Sequence, residues 1–280
     1  MFADSTLARR VERAEAAMSA AMVEGVCRQS GAESTVVPVG AGFAIYAGPG
    51  SPFNKIIGAG LDAGPLDEPA LDAAERVCAA HGAPVRAEVC VLAAPDVFAA
   101  FSRRGYVFET VEHVLGMTLP ANDGVPVPLQ GAVEIAQVEG EAGSNQWIEV
   151  LVDGFSVPDV TDTGVTGESF PADVLRETFR NYRDVEAFHR YLARLDGRPA
   201  GGGGLYLGGG IGFLCGAATL APFRRRGVQA ALLRRRLADA AAAGCDLAVV
   251  TPAPGSKSQQ NAQRHGLSLL YARAVLVRPA

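Results

Sequence analysis

Between residues 211 and 237 the chain runs from an apolar stretch, Ile211 to Leu220, through Pro222 and three consecutive arginines (Arg224, Arg225, Arg226) to Gly227. It then enters a helical pattern with Ala230, Leu233 and Leu237 on one face. A strand, a tight basic loop and a helix N-terminus in succession commit the chain to a mixed architecture of sheet and helix. The first amides of such a helix lack intrahelical acceptors, and the macrodipole adds partial positive charge, so the loop favours an anion such as a phosphate. Gly227 allows close backbone approach or a positive φ, and the arginines can add bidentate phosphate contacts. No Gly-Lys-Ser/Thr ending makes this a P-loop, and no GxGxxG opens the helix.

At 280 residues the chain holds one large or two modest domains. No apolar run reaches the roughly 20 residues of a spanning helix, so no membrane insertion is expected. Met1 to Arg10 carry no apolar signal core. Five scattered cysteines (Cys27, Cys78, Cys90, Cys215, Cys245) show no Cys-x-x-Cys spacing. They are expected to be reduced thiols in a cytoplasmic protein, with no metal bound. A formal charge of −5 argues against nucleic-acid binding.

Taken in order, the periodicities predict a helix over 7–29, short strands over 34–39, 42–47 and 54–61, and a helix over 70–80. A strand over 85–92, a helix over 96–104 and a long strand or hairpin over 106–119 follow. Residues 120–130, with three prolines, suit a linker. A second series begins at 133–138, with helices near 146–152 and 172–182 and strands over 187–195 and 204–207. The anchor strand and helix come next, then a strand over 246–251, a short helix over 258–265 and a closing strand over 267–277. The glycine-rich stretch 201–210 predicts a bent hairpin, since no helix follows it.

The two series repeat one another at an offset of about 160 residues. Gly58 to Pro65 matches Gly216 to Pro222. The helix ending at Gly82 matches the one ending at Gly244, and Arg104-Gly105-Tyr106 matches His265-Gly266-Leu267. The loop itself is not repeated: the first copy has Leu66-Asp-Glu-Pro-Ala, whose carboxylates satisfy the helix dipole and repel a pyrophosphate.

The order Arg224-x-x-Gly227-x-Gln229-Ala230 resembles the pyrophosphate loop of the GNAT superfamily of acyl-CoA N-acyltransferases, with Gln229 replacing the commoner Gly or Ala. The repeat of strand, loop, helix, strand, helix, Gly and strand is similar to the part of that fold after its central strand. The resemblance implies an α+β, mixed α/β fold of two tandem acyl-CoA N-acyltransferase-like halves, each a mostly antiparallel mixed sheet flanked by helices. A degenerate half without the phosphate loop would span 1–119, the linker 120–130, and the acetyl-CoA-binding half 131–280. The family's pantetheine arm enters between two splayed strands. By resemblance, the backbone of Thr219, Leu220 and Ala221 would hold it, while Arg224, Arg225, Arg226, Gly227, Val228, Gln229 and Ala230 would hold the pyrophosphate.

Acyl transfer from a thioester to an amine requires a polarised carbonyl, a deprotonated amine and a protonated leaving thiolate. The tyrosine acid that many family members carry on the last helix is replaced here by Ala262. Ser258 and Asn261 resemble the family's Ser-x-x-Asn variant. Ser258 suits a helix N-cap; by the resemblance, Asn261 would face the pantetheine or thiol and Arg264 would join them as a cofactor contact. His265 suits a C-terminal cation, and Tyr271 is the candidate substitute acid beside Asn261. Base candidates are Asp153, Asp159 and His189. Residues 153–170 predict a long polar loop with Phe155 and Phe170 as anchors, in which Asp153, Asp159, Asp162 and Glu168 would suit a cationic amine. Two functions stay open: N-acetyl transfer from acetyl-CoA to a small-molecule amine by direct attack in a ternary complex, or an acyl-CoA sensor without turnover.

Overall fold

The computed structural model describes residues 3–30, 34–62, 64–120, 132–157, 170–182 and 185–279, and the side chains of all these except 25–30. Residues 121–130 of the linker and the acidic positions Asp159, Asp162 and Glu168 lie outside the described residues. The chain forms two compact units, Leu115–Ser268 and Phe2–Val114 together with Leu269–Ala280. Both are mixed α/β.

The unit containing the N-terminus starts with α1 (Ser5–Ser30), β1 (Thr35–Val39), β2 (Gly42–Tyr46) and β3 (Lys55–Ile57). It continues through α2 (Glu68–Ala80), β4 (Val85–Cys90), α3 (Pro95–Arg103) and β5 (Val107–Thr118), the last a single strand rather than a hairpin. The closing strand of the chain, β11 (Ser268–Arg278), runs antiparallel to β4 with Arg273 opposite Cys90. The strand order is β1-β2-β3-β4-β11-β5, with β3 and β4 parallel. Alternation sets the faces: Val85, Ala87 and Val89 of β4 are buried while Arg86 and Glu88 are more exposed. The α2 start is self-capped, because Asp67 Oδ1 accepts from the Ala70 N–H at 3.0 Å and Glu68 pairs with Arg104. An uncapped anion site is thus absent from this helix.

Charge is concentrated under α1. Arg273, fully buried, donates to Glu12 (2.7 Å), Glu15 (2.5 Å) and Glu112 (3.0 Å). Lys55 pairs with Glu88 at 2.7 Å. Four carboxylates share two cations here. Burial, with the Glu88 charge beside it, pushes the Glu112 carboxyl up to about 8 against the pull of Arg273 and Lys55. An unfolded carboxyl loses its proton near the ordinary carboxylate range, whereas the folded one keeps it to about pH 8. The folded state therefore binds more protons in that window, and stability falls as pH rises through it. Glu112→Gln, which keeps an acceptor for Arg273, is expected to flatten the decline and stabilise the protein at pH 8 by about 1–2 kcal/mol. Solvent reaching the 27% exposed Glu112 side chain screens its neighbours and holds the gain to this range. Urea denaturation at pH 5 and pH 8 of both proteins checks it; equal slopes would refute the assignment.

The second unit uses the end of β5, Leu115–Thr118, followed by β6 (Val133–Gln137), α4 (Gly140–Ser156), α5 (Ala172–Asn181), β7 (Phe188–Leu195) and β8 (Arg198–Gly208). Then come β9 (Ile211–Thr219), a 3₁₀ turn (Ala221–Phe223), α6 (Val228–Ala242), β10 (Leu247–Val250) and α7 (Lys257–Arg264). The strand order is β5-β10-β9-β8-β7-β6, and only β9 and β10 are parallel. The glycine stretch resolves into the β8–β9 hairpin, turning at Gly209 and Gly210, with φ of 60° and 73°. The helix predicted over 146–152 is longer: Gly140–Ser156 is helical, so residues 153–156 lie in α4 and not in a loop. The core of this unit packs α6 (Val228, Leu232, Leu233, Ala240) against Leu205 and Leu214. The buried stripe of α6 runs through 228, 232, 236 and 240, with Ala230 and Leu237 only partly buried.

Candidate acyl-CoA site

All parts of the phosphate loop belong to the Leu115–Ser268 unit. β9 and β10 pair only as far as Phe213 and Val249; β9 then continues to Thr219 while β10 stops at Val250. One edge of β9 is thereby left open. This is the splayed pair that the sequence resemblance implies. At its end the chain turns through Ala221–Phe223, takes a positive φ at Arg225 (60°) and again at Gly227 (83°), and starts α6. Gly227 is the N-cap and no side chain caps the helix. The first backbone bond here runs from the Ala231 N–H to Gly227 O at 2.9 Å, so the Val228, Gln229 and Ala230 amides have no intrahelical acceptor. Nothing lies within 4 Å of a Cβ built on Gly227, so the space above this N-terminus is open. The pieces fit a pyrophosphate.

The three arginines divide their work. Arg224 donates to Thr219 O at 3.3 Å and to Val157 O, tying the loop to the end of α4. Arg226 pairs with Asp196 at 3.1 Å and lies over the Phe223 ring. Arg225 is exposed. The Leu220 N–H is already given to Ala200 O, and the carbonyls of Thr219, Leu220 and Ala221 accept from Arg224, Phe223 and Arg224 in turn. More of the open edge of β9 lies earlier in the strand.

That stretch is irregular. Gly202 pairs with Ala218 and Gly204 with Cys215, which leaves Gly203 against Gly216 and Ala217 in a β-bulge. Two buried side chains grip it from opposite faces of the sheet. Trp147 of α4 donates its indole N–H to Gly203 O at 3.1 Å. Arg236 of α6 donates Nη1 to Gly204 O at 3.0 Å and to Cys215 O at 3.4 Å, with Nε on Leu232 O. Burial pulls the Arg236 pKa down to about 10, which still leaves it cationic at neutral pH. Among the described residues Arg236 forms no ion pair with a carboxylate. The glycines make room for this: a Cβ at Gly202 would meet Trp147 and Leu151 at 3.3 Å, and one at Gly203 would meet the Arg236 guanidinium at 3.1 Å. The α4 face of the bulge is lined by rings, with Phe179 stacked on the exposed Phe155 at 6.0 Å and edge-on to Trp147 at 5.4 Å.

The other predicted site residues fall as follows. Helix α7 is capped by Ser256, whose Oγ accepts from the Gln259 N–H at 3.1 Å; Ser258, the expected cap, is instead exposed in the first turn. The reason is local: Gln259 reaches back to the Gly255 N–H at 2.7 Å, and this pairing starts the helix at Lys257. Asn261 is half-buried and Arg264 exposed on α7, and His265 caps the end through Nδ1 to Asn261 O. Tyr271 lies on β11 in the other unit, buried, with its hydroxyl donated to Glu12 Oε1 at 2.7 Å. Burial and the Glu12 charge hold that phenol far above its ordinary pKa. Asp153 is exposed on α4 in the field of Arg176, and His189 on β7 meets Gln137 at 3.0 Å. Sequence reasoning missed Trp147 and Arg236. The run Gly201–Gly204 was the available signal, since adjacent glycines in a buried strand mark close approach by something large.

Residues 161–267 match the model of the acetyltransferase (GNAT) family. No curated protein matches the sequence. Among solved structures, a GCN5-related N-acetyltransferase from Kribbella flavida aligns over 95% of both chains with 18% identity and a TM-score of 0.61. A tandem GNAT protein from the clavulanic acid biosynthesis pathway aligns over 92% of this chain and 86% of its own, with 12% identity and a TM-score of 0.59. A GCN5-related N-acetyltransferase from Sphaerobacter thermophilus covers 98% of this chain and 93% of its own at 14% identity and a TM-score of 0.56. These likenesses establish the fold. The family match covers the segment that carries the loop, so residues 161–267 carry an acetyltransferase (GNAT) family domain.

Proposed function

We propose that the Leu115–Ser268 unit binds acetyl-CoA and transfers its acetyl group to the amine of a small molecule, while the N-terminal half is a degenerate copy without a cofactor. The observation that carries this is the uncapped start of α6 at a loop with positive φ at Arg225 and Gly227, set at the end of a strand that has parted from its neighbour. By contrast, the corresponding helix α2 spends its N-terminus on Asp67. The thioester supplies an electrophilic carbonyl carbon. The chain's part is to hold the pyrophosphate on the amides of Val228 to Ala230 and Arg225, and to present backbone N–H groups of the bulge to the carbonyl oxygen. The amine nitrogen forms the new C–N bond as the C–S bond breaks; the amine's proton passes to water, and CoA leaves as the thiolate, which takes up a proton from water.

One observation favours a second function, acyl-CoA sensing without turnover: the Tyr271 proton is held by Glu12. Calorimetry with acetyl-CoA, followed by release of free CoA thiol in the presence of a panel of amines, separates the two. One binding site per chain with amine-dependent thiol release is the expected result. Binding without release for any amine would establish the sensor, and no binding would refute both.

A further inference from the structure

Helix α4 carries an apolar stripe that runs on past the core. Trp147, Leu151 and Phe155 recur every four residues and so share one face. Trp147 and Leu151 have no exposed surface, and each lies 3.3 Å from a Cβ built on Gly202. Phe155, next in line, is 42% exposed, and Val157 beyond it is 48% exposed. Scattered exposed apolar residues are ordinary on a protein surface. These two are set apart by where they sit.

Gly154 brings the end of α4 down onto β9, since a Cβ there would lie 2.6 Å from the Ala218 side chain. Ala218 belongs to the stretch of β9 that continues after its pairing with β10 has ended at Phe213. Arg224 of the phosphate loop donates to Val157 O. The exposed pair is thus held between the open strand and the loop. Inwards, the Phe155 ring stacks on Phe179 at 6.0 Å and 28°. Phe179 lies edge-on to Trp147 and 3.7 Å from a Cβ built on Gly216. Rings are therefore layered from the bulge outwards, and the last of them meets solvent.

Aromatic groups prefer offset-stacked or edge-on aromatic partners, so the complement of this surface is another ring. A sugar is a poor match, because hydroxyls pressed against rings lose water without gaining a partner. The carboxylates of α4 that an amino sugar would use are engaged elsewhere. Arg176 holds Glu149 at 2.8 and 2.9 Å, and Asp153 lies in the field of the same arginine.

Resting on the acyl-transfer reading above, we infer that the end of α4 is an acceptor-recognition surface and that the acceptor is an arylalkylamine. Its ring stacks on Phe155 beside Val157, and its alkyl arm carries the amine inwards to the thioester carbon. Phe155 supplies binding and no chemistry. Its loss therefore raises KM for the acceptor, with kcat and KM for acetyl-CoA little changed.

The test uses full-length wild type, Phe155→Ala and Phe155→Tyr, with acetyl-CoA and three amines: phenethylamine, n-butylamine and glucosamine. Thiol release is expected to favour phenethylamine in kcat/KM by about 10-fold or more over the other two. Phe155→Ala should raise KM for phenethylamine about 10- to 100-fold and that for n-butylamine far less, while Phe155→Tyr, which restores a ring, recovers most of the loss. Trp147 is the single tryptophan of the chain, so its fluorescence reports phenethylamine binding without any acetyl donor. A saturable change is expected in the wild type and not in Phe155→Ala.

Equal or better turnover of n-butylamine or glucosamine would overturn the inference and leave the acyltransferase reading intact. So would an unchanged phenethylamine KM in Phe155→Ala. A rise in KM for acetyl-CoA instead would give the patch to the pantetheine arm and overturn the inference as well. If no amine releases thiol, the transfer reading falls and the Trp147 signal decides the surface alone. A change lost in Phe155→Ala would then support an aryl-binding surface, and no saturable change would overturn it.

Discussion

Gly227→Glu is expected to weaken acetyl-CoA binding by at least about 100-fold, roughly 3 kcal/mol. Two effects combine at this position. Any L-residue held at φ 83° pays about 1 kcal/mol for the left-handed conformation. The glutamate carboxylate then occupies the free amides of Val228 to Ala230 and repels the incoming pyrophosphate, much as Asp67 occupies the start of α2. Gly227→Ala separates the two terms. It has room for its methyl group, with nothing within 4 Å of the built Cβ, and it adds no charge. The alanine variant is expected to lose about 1 kcal/mol of stability while keeping affinity within a few-fold of wild type. Calorimetric titration of the three proteins decides the matter. A glutamate variant that binds as the wild type does would place the anion elsewhere on the chain.

The loop was legible because it is local. A proline, three arginines and a glycine between an apolar run and a helix leave few conformations, and the structure puts Gly227 at the N-cap with the positive φ that its identity suggests. The strand order needs information that short windows lack. β11 follows α7 in sequence but pairs with β4, more than 180 residues earlier, and a repeat does not say which sheet a strand joins. The stripe of α6 was shifted for a different reason. Periodicity counts apolar positions, and the buried stripe runs through Arg236, which any hydrophobic pattern assigns to solvent. The same blindness hid the bulge, whose register depends on the partner strand and on side chains from two helices. Tyr271 fits this pattern as well. Its place after the last helix suggested the site, but its hydroxyl belongs to a carboxylate on α1 that no local window could link to it.

Arg273→Met is expected to cost about 3–5 kcal/mol of folding stability. Glu12 is 2% exposed and Glu15 6%, and both accept from the Arg273 guanidinium, which itself has no exposed surface. Removing the cation leaves carboxylates packed under α1 with Tyr271 and Lys55 as the nearest relief, so one or more must take up protons to remain buried. The deficit should therefore shrink at low pH, where protonation is cheap, and widen towards pH 8. Neutralising the other side tests the account. Adding Glu12→Gln and Glu15→Gln to Arg273→Met removes the stranded charges and is expected to recover most of the loss, because a buried ion network and a neutral replacement of similar shape are often close in stability. Urea denaturation of the wild type, the single and the triple variant at two pH values measures all of this. A single variant as stable as wild type at pH 8 would mean that water reaches the cluster, and a triple variant no better than the single would show that the arginine acts by packing rather than by charge.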